Sequence, residues 1–228
     1  MGMLTKHPEY ADLQGVSIPP IPLEIRQNVE ENLERFLIEG GFPEVWTLPD
    51  WETKQSYLFD NQVEKVILED LVLAVELSKP EMLKRFYISL LENPGREINF
   101  QQISKTLGIN RASIEKYFPL LEMTDLIRHV EKFTKSQIRV RKGNVNINYL
   151  REKDSEVDFI VYLGASNYMP IEVKYKEQVQ DIELRTIKNF CKSLNCSTGI
   201  VVTKKWDAFG KKEYLIYMPL PHFLLLFD

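Results

Sequence analysis

The stretch Glu156-Val-Asp-Phe-Ile-Val-Tyr-Leu-Gly-Ala-Ser-Asn-Tyr-Met-Pro-Ile-Glu-Val-Lys-Tyr175 decides how this chain is read. Residues 157–163 and 169–175 are rich in β-branched and aromatic side chains, and each reads as a strand. Gly164 to Asn167 reads as the loop that joins them. Asp158 falls at the start of the first strand. Glu172 and Lys174 lie two apart on the second, so they project from one face. Such a hairpin would gather all three side chains. Two carboxylates, Asp158 and Glu172, can hold a hard divalent cation, Mg²⁺ or Mn²⁺, through oxygen. A lysine beside them, Lys174, can orient a water and offset charge on a phosphate, the role of a catalytic residue in phosphodiester hydrolysis. The same alternation also fits strands that expose charge, with Glu-x-Lys as an ordinary surface pair.

Around this hairpin, residues 145–150, 199–203 and 213–218 read as further strands and residues 183–194 as a helix. Together they make a small mixed α/β unit over 144–228. The apolar end, Phe223 to Phe227, is expected to dock on the sheet. Upstream, residues 82–91 read as a helix broken by Asn93-Pro94-Gly95. Asn99 caps a second helix, with Gln102 completing a capping box and Phe100, Ile103 and Leu107 as its apolar stripe. Gly108 turns the chain and Asn110 caps a third helix. That helix buries Ile114, Phe118 and Leu121, exposes Arg111, Ser113 and Lys116, and is expected to kink or end early at Pro119. Residues 128–142 read as a hairpin carrying Lys132, Lys135, Arg139, Arg141 and Lys142 against one acid, Glu131. Three helices and a basic hairpin over 81–143 have the layout of a winged helix-turn-helix. Arg111, Ser113 and Lys116 stand where a recognition helix contacts duplex DNA, and the hairpin cations suit phosphates. Winged helices also serve as protein-interaction modules, so both readings stand.

Residues 1–80 complete the α+β arrangement. Pro8, Pro19, Pro20 and Pro22 predict an extended lead-in without regular structure of its own. A helix follows from Leu23, striped by Val29, Leu33, Phe36 and Leu37 and stopped by Gly40-Gly41. Phe42 to Trp46 reads as an apolar loop, with Trp46 and Trp51 in a common core. Residues 51–77 read as one long or broken helix on Tyr57, Val63, Ile67, Leu71 and Val75, with Glu64, Glu69, Asp70 and Glu76 as its solvated face. Pro80 marks the next boundary.

The chain has 228 residues and a net charge of −4, unevenly spread. Residues 1–80 carry 6 basic and 15 acidic groups, residues 81–150 carry 12 and 7, and residues 151–228 carry 11 of each. The basic middle favours an anionic partner there. No run of about 18 apolar residues exists to span a membrane, and the first residues lack a signal-peptide core, so a cytoplasmic location is expected. Cys191 and Cys196, beside the scattered His7, His129 and His222, cannot supply a four-ligand zinc site. They read as two reduced thiols, with a disulfide as the alternative.

Asp158 followed by Glu172-x-Lys174 resembles the PD-(D/E)xK nuclease signature. Ile38-Glu-Gly-Gly-Phe-Pro-Glu-Val45 resembles the Gly-Gly-Phe-Pro-Glu signature of a large family of prokaryotic AAA-type ATPases. Val66-Ile-Leu-Glu-Asp-Leu71, Leu107-Gly-Ile-Asn110, Ile114-Glu-Lys-Tyr117, the run from Tyr149 to Phe159 and Ile171-Glu-Val-Lys-Tyr175 continue the likeness in order over about residues 25–228. The resemblance implies the C-terminal region of such a protein: a winged helix followed by a restriction-endonuclease-like tail, active with Mg²⁺ or reduced. It also implies an ATPase module or self-association as a partner. The chain departs from the family in two ways. It has no P-loop, because around Gly210-Lys211 the first glycine is replaced by Lys205 and the Ser or Thr by Lys212. The segment between the hairpin and Glu156-Val-Asp158 is also much shorter than usual, lacking the family's helix with an extra acidic residue. The expected role is a DNA-binding accessory region, or else a non-catalytic assembly module of an ATPase.

Overall fold

The structure is a computed structural model and describes residues 11–13, 16–18, 22–75, 79–133, 146–153, 155–164 and 167–225. It is α+β with one large mixed sheet. The chain divides into two compact units: residues 35–129, and the described parts of 1–34 together with those of 130–228.

The lead-in is more ordered than its prolines predict. β1 (Ala11–Leu13) and β2 (Val16–Ile18) pair antiparallel. Residues 9–18 contain no proline, so their N–H groups are free to pair. α1 (Leu23–Glu39) ends where Gly40 takes φ +81° and its N–H donates to the Phe36 carbonyl. The expected stripe on α1 is not a core stripe. Val29 and Leu33 are half-buried, Phe36 and Leu37 are exposed, and no α1 residue is buried.

Within residues 35–129, α2 (Pro43–Trp46) begins with Pro43 at its first position, where no N–H is required. Val45 is buried, and Trp46 Nε1 donates to the Gly40 carbonyl. The Arg35 guanidinium lies 4.6 Å from the Trp46 ring and pairs with Glu39, which also holds the nearly buried Lys54 at 2.7 Å. Lys54 first and Arg35 with it keep the Glu39 carboxyl below its usual range. This knot seats the Gly40-Gly41-Phe42-Pro43 turn. Trp51 lies outside the core, 48% exposed, at the start of the next helix.

α3 (Trp51–Leu58) is capped by Asp50, whose carboxylate accepts from Thr53 N. It continues without a break through a π-helical segment (Phe59–Asp70) into α4 (Leu71–Val75). The Leu71 N–H reaches back five residues to Val66. Phe59, Val63, Ile67 and Leu71 recur every four residues, wider than the 3.6 of an α-helix. The wider winding keeps Val63, Ile67 and Leu71 buried on one side.

α5 (Pro80–Leu91) buries Leu83, Phe86 and Tyr87. α6 (Phe100–Leu107) is capped by Asn99 and ends at Gly108 with φ +65°. α7 (Arg111–Met123), capped by Asn110, buries Ile114, Tyr117, Phe118 and Leu121. It runs through Pro119 without ending early: Pro119 and Glu115 are both exposed, so the Glu115 carbonyl that lacks an N–H lies on the exposed face. One core links Val63, Ile67 and Leu71 with α5 and α7, across residue 80. At its centre the Phe86, Phe100 and Phe118 rings meet at 5.3–6.5 Å.

The second unit is built on β3 (Glu131–Lys132), β4 (Asn146–Glu152), β5 (Ser155–Gly164) and β6 (Asn167–Lys174). A 3-10 turn (Asp181–Leu184) then leads into α8 (Arg185–Leu194). β7 (Gly199–Thr203), β8 (Gly210–Lys212), β9 (Leu215–Pro219) and α9 (Leu220–Leu225) complete it. The sheet order is β3-β4-β5-β6-β7-β9-β8. β4, β5 and β6 form an antiparallel meander; α8 then crosses back so that β7 lies parallel to β6, with β9 parallel to β7. β7 and β9 are buried throughout, as central parallel strands are. Leu184, Ile187 and Phe190 share one core with Ile160 and Val201. A second core joins Ile171, Ile200 and Met218, with Phe223 of α9 packed on it. His222 is stacked on Phe209 at 4.8 Å, and burial pushes its imidazole down to about 4.

The hairpin expected over 128–142 is different in its described part. Glu131–Lys132 joins the sheet edge parallel to β4, and the Phe133 N–H donates to the Tyr149 carbonyl at 2.7 Å. Buried Phe133, edge-on to Tyr168 and Phe190, draws the segment onto the sheet. Lys135, Arg139, Arg141 and Lys142 lie outside the described residues. No helix among the described residues is long and apolar enough to cross a membrane.

Phe86→Ala removes a fully buried ring from the three-ring centre and is expected to cost about 3–5 kcal/mol in urea unfolding. A loss below about 1 kcal/mol would contradict this core.

Candidate carboxylate and lysine site

The β5–β6 hairpin closes at the Gly164↔Asn167 pair, with Gly164 at φ +94°. The ladder runs back to Phe159↔Ile171 and stops there. Beyond it, the Val173 N–H donates to Asp158 Oδ2 at 2.7 Å, so the carboxylate replaces a missing strand partner. Glu172 and Lys174 continue along β6 on the face that Tyr168 shares with α8.

Glu172 also lies opposite Val201 of parallel β7, and Lys174 opposite Thr203. With strands on both sides, Glu172 is only 5% exposed. Its Oε1 accepts from Lys174 Nζ, while Oε2 is buried with no hydrogen-bond partner. Burial pushes the Glu172 carboxyl above its usual range; the Lys174 bond opposes this and the Asp158 charge adds to it. Burial alone would lower the Lys174 ammonium. The Glu172 bond, with the fields of Asp158 and Glu183, outweighs it, and the value is raised.

Asp158, Glu172 and Lys174 line one cleft of about 450 Å³, together with Glu156, Glu183 and Thr186. The structure thus brings together the three residues read from the hairpin. Glu183 is an addition. It sits in the 3-10 turn before α8, where its carboxylate accepts from Gln180 N at 2.8 Å and pairs with Lys176. Gln180-Asp-Ile-Glu183 ahead of a helix is a capping-box pattern, the one sequence signal that marks it.

The resemblance to nucleases implies Mg²⁺. Among the described residues, no group of three or more His, Cys, Asp or Glu side chains could hold a metal ion. Asp158 and Glu172 remain, and Mg²⁺ accepts one or two carboxylates when waters and a phosphate complete its shell. The uncommitted Glu172 Oε2 fits such a hard-oxygen set.

The proposed DNA-contacting residues fall in both units. Arg111 and Lys116 are exposed on α7, and Arg111 is held by Glu115 at 2.7 Å. Ser113 is half-buried rather than exposed, because it flanks Ile114 and Tyr117 on the packed side. Lys132 is exposed on edge strand β3.

Glu172 should titrate above 4.5 in carbon-detected NMR, so its acid form persists to higher pH than that of an ordinary glutamate. Lys174→Met removes the donor that favours the carboxylate and should move the midpoint further up. A midpoint at or below the ordinary value, or a downward move in the variant, would contradict the pairing described.

Two family models match the chain. One is a domain of unknown function, DUF8612, over residues 30–147. The other is a domain of unknown function, DUF4143, over residues 128–223, which takes in the meander, α8 and the parallel strands. No curated protein and no solved structure matches the chain. The DUF8612 match extends over more than half of the sequence, and the chain belongs to that family.

Proposed function

We propose that the cleft at the start of β5 and the end of β6 is a Mg²⁺-dependent phosphodiesterase centre in a DNA-binding accessory region of an AAA-type ATPase. DUF4143 is typically linked to the C-terminal regions of such ATPases, which supports the setting. The observation that carries the chemistry is the convergence of Asp158, Glu172 and Lys174, with one buried Glu172 oxygen uncommitted. An acid on β5 and Glu-x-Lys on its neighbour β6, with a crossover helix following, support the likeness to the nuclease signature. Asp158 and Glu172 would hold the cation. A bound Mg²⁺ would polarise a phosphoryl oxygen and acidify a coordinated water. Lys174 would hold the attacking water or offset charge on the phosphate, its ammonium kept protonated by Glu172. α7, with Arg111, Ser113 and Lys116, would rest on duplex DNA, and Lys132 with the basic residues after it would add phosphate contacts.

The direct Glu172–Lys174 pair favours a second reading, in which the carboxylate serves structure and the module only binds protein. Incubation of the full chain with plasmid and oligonucleotide duplexes separates the two. The first reading expects cleavage that needs Mg²⁺, stops with EDTA and falls at least about a hundredfold in Lys174→Ala. Absence of cleavage by wild type, or equal cleavage by the variant, supports the second.

A further inference from the structure

The C-terminal end of α8 holds a second chemical feature, independent of the carboxylate cleft. Asn195 takes the left-handed conformation at φ +50°, and the Cys196 N–H donates to the Cys191 carbonyl at 2.9 Å. This six-to-one bond is the mark of a Schellman turn. Such a turn brings the side chains at those two positions into contact, usually as an apolar pair. Here both are cysteines, reduced and buried. Each thiol is the other's main influence: Cys196 holds Cys191 well above the ordinary thiol range, and Cys191 holds Cys196 below it. A groove of about 340 Å³ is lined by both cysteines together with Lys192, Asn195 and Tyr214.

We propose that Cys191 and Cys196 form a reversible intramolecular disulfide by exchange with a small-molecule disulfide such as oxidised glutathione. The Cys196 thiolate attacks one sulfur of glutathione disulfide; a mixed disulfide forms and one glutathione thiolate leaves. The departing thiolate, or water, takes the Cys191 proton. The Cys191 sulfur then attacks Cys196 Sγ, the protein S–S bond forms and the second glutathione leaves. Two protein thiols are oxidised and one glutathione disulfide is reduced to two glutathiones, so atoms and electrons balance. Cys196 attacks first because it is the more acidic thiol, and Cys191 resolves because the helix cap keeps it in contact. Lys192 at the groove offers a cation to the glutathione carboxylates.

The test incubates the full native chain with oxidised glutathione, quenches with acid, alkylates free thiols and measures intact mass. The expected product has lost two hydrogens, carries no alkyl group and regains two alkylatable thiols with dithiothreitol. Peptide mapping should link residue 191 to residue 196. The reaction should also run at least about tenfold faster in native buffer than in urea, since the helix cap aligns the sulfurs. Cys191→Ser should stop at one stably bound glutathione. A wild type that keeps both thiols, accumulates a stable glutathione adduct, links only between chains, or reacts faster in urea would overturn the proposal. These wild-type measurements decide it even if the variant does not fold.

Discussion

A carboxylate between two paired strands must be matched by a cation or keep its proton, and Glu172 is such a carboxylate. Its position follows from the parallel pairing of β6 with β7 on one side, with Asp158 of β5 on the other. Lys174, two residues on, answers one oxygen. Asp158 meets the same constraint differently, by taking the Val173 N–H where the β5–β6 ladder stops. The cleft exists because the strands part there and the lead-in to α8 passes beside them, bringing Glu183 and Thr186 to its wall. Leu184, Ile187 and Phe190 fix that lead-in by burying one face of α8 against the sheet.

The parts of this arrangement set by local periodicity were legible in the sequence. Alternation with a period of two placed Glu172 and Lys174 on one face, and the glycine-containing loop brought Asp158 opposite. Asn99, Gly108 and Asn110 marked helix ends through side-chain chemistry that acts within four residues. The misreadings share a non-local cause. Glu131–Lys132 is two residues long and pairs with a strand that begins fourteen residues later, an association set by where Phe133 packs. The stripe on α1 has helical spacing, but periodicity alone does not say that a partner covers it. Glu183, first residue of the helix expected over 183–194, carried no sign of the cleft, because only the return of the chain over β6 brings it there.

Charge gains meaning in the same way. The basic stretch 81–150 is less openly cationic than its count of 12 basic groups implies. Arg111 is held by Glu115, Lys84 by Glu64, and Arg85 donates to the Leu107 carbonyl. In the sheet unit the sums balance at zero, yet the distribution is far from neutral locally. Asp181 holds both Lys188 and Lys212, while Glu172 retains a buried oxygen with nothing to bond. A structural ion pair needs no such oxygen; a hard cation can use it.

Calorimetric titration of the full chain with Mn²⁺, with Asp158→Asn as comparison, tests this most directly. One saturable site is expected in the wild type, and its loss in the variant. No binding to the wild type, or equal binding to both, would contradict it.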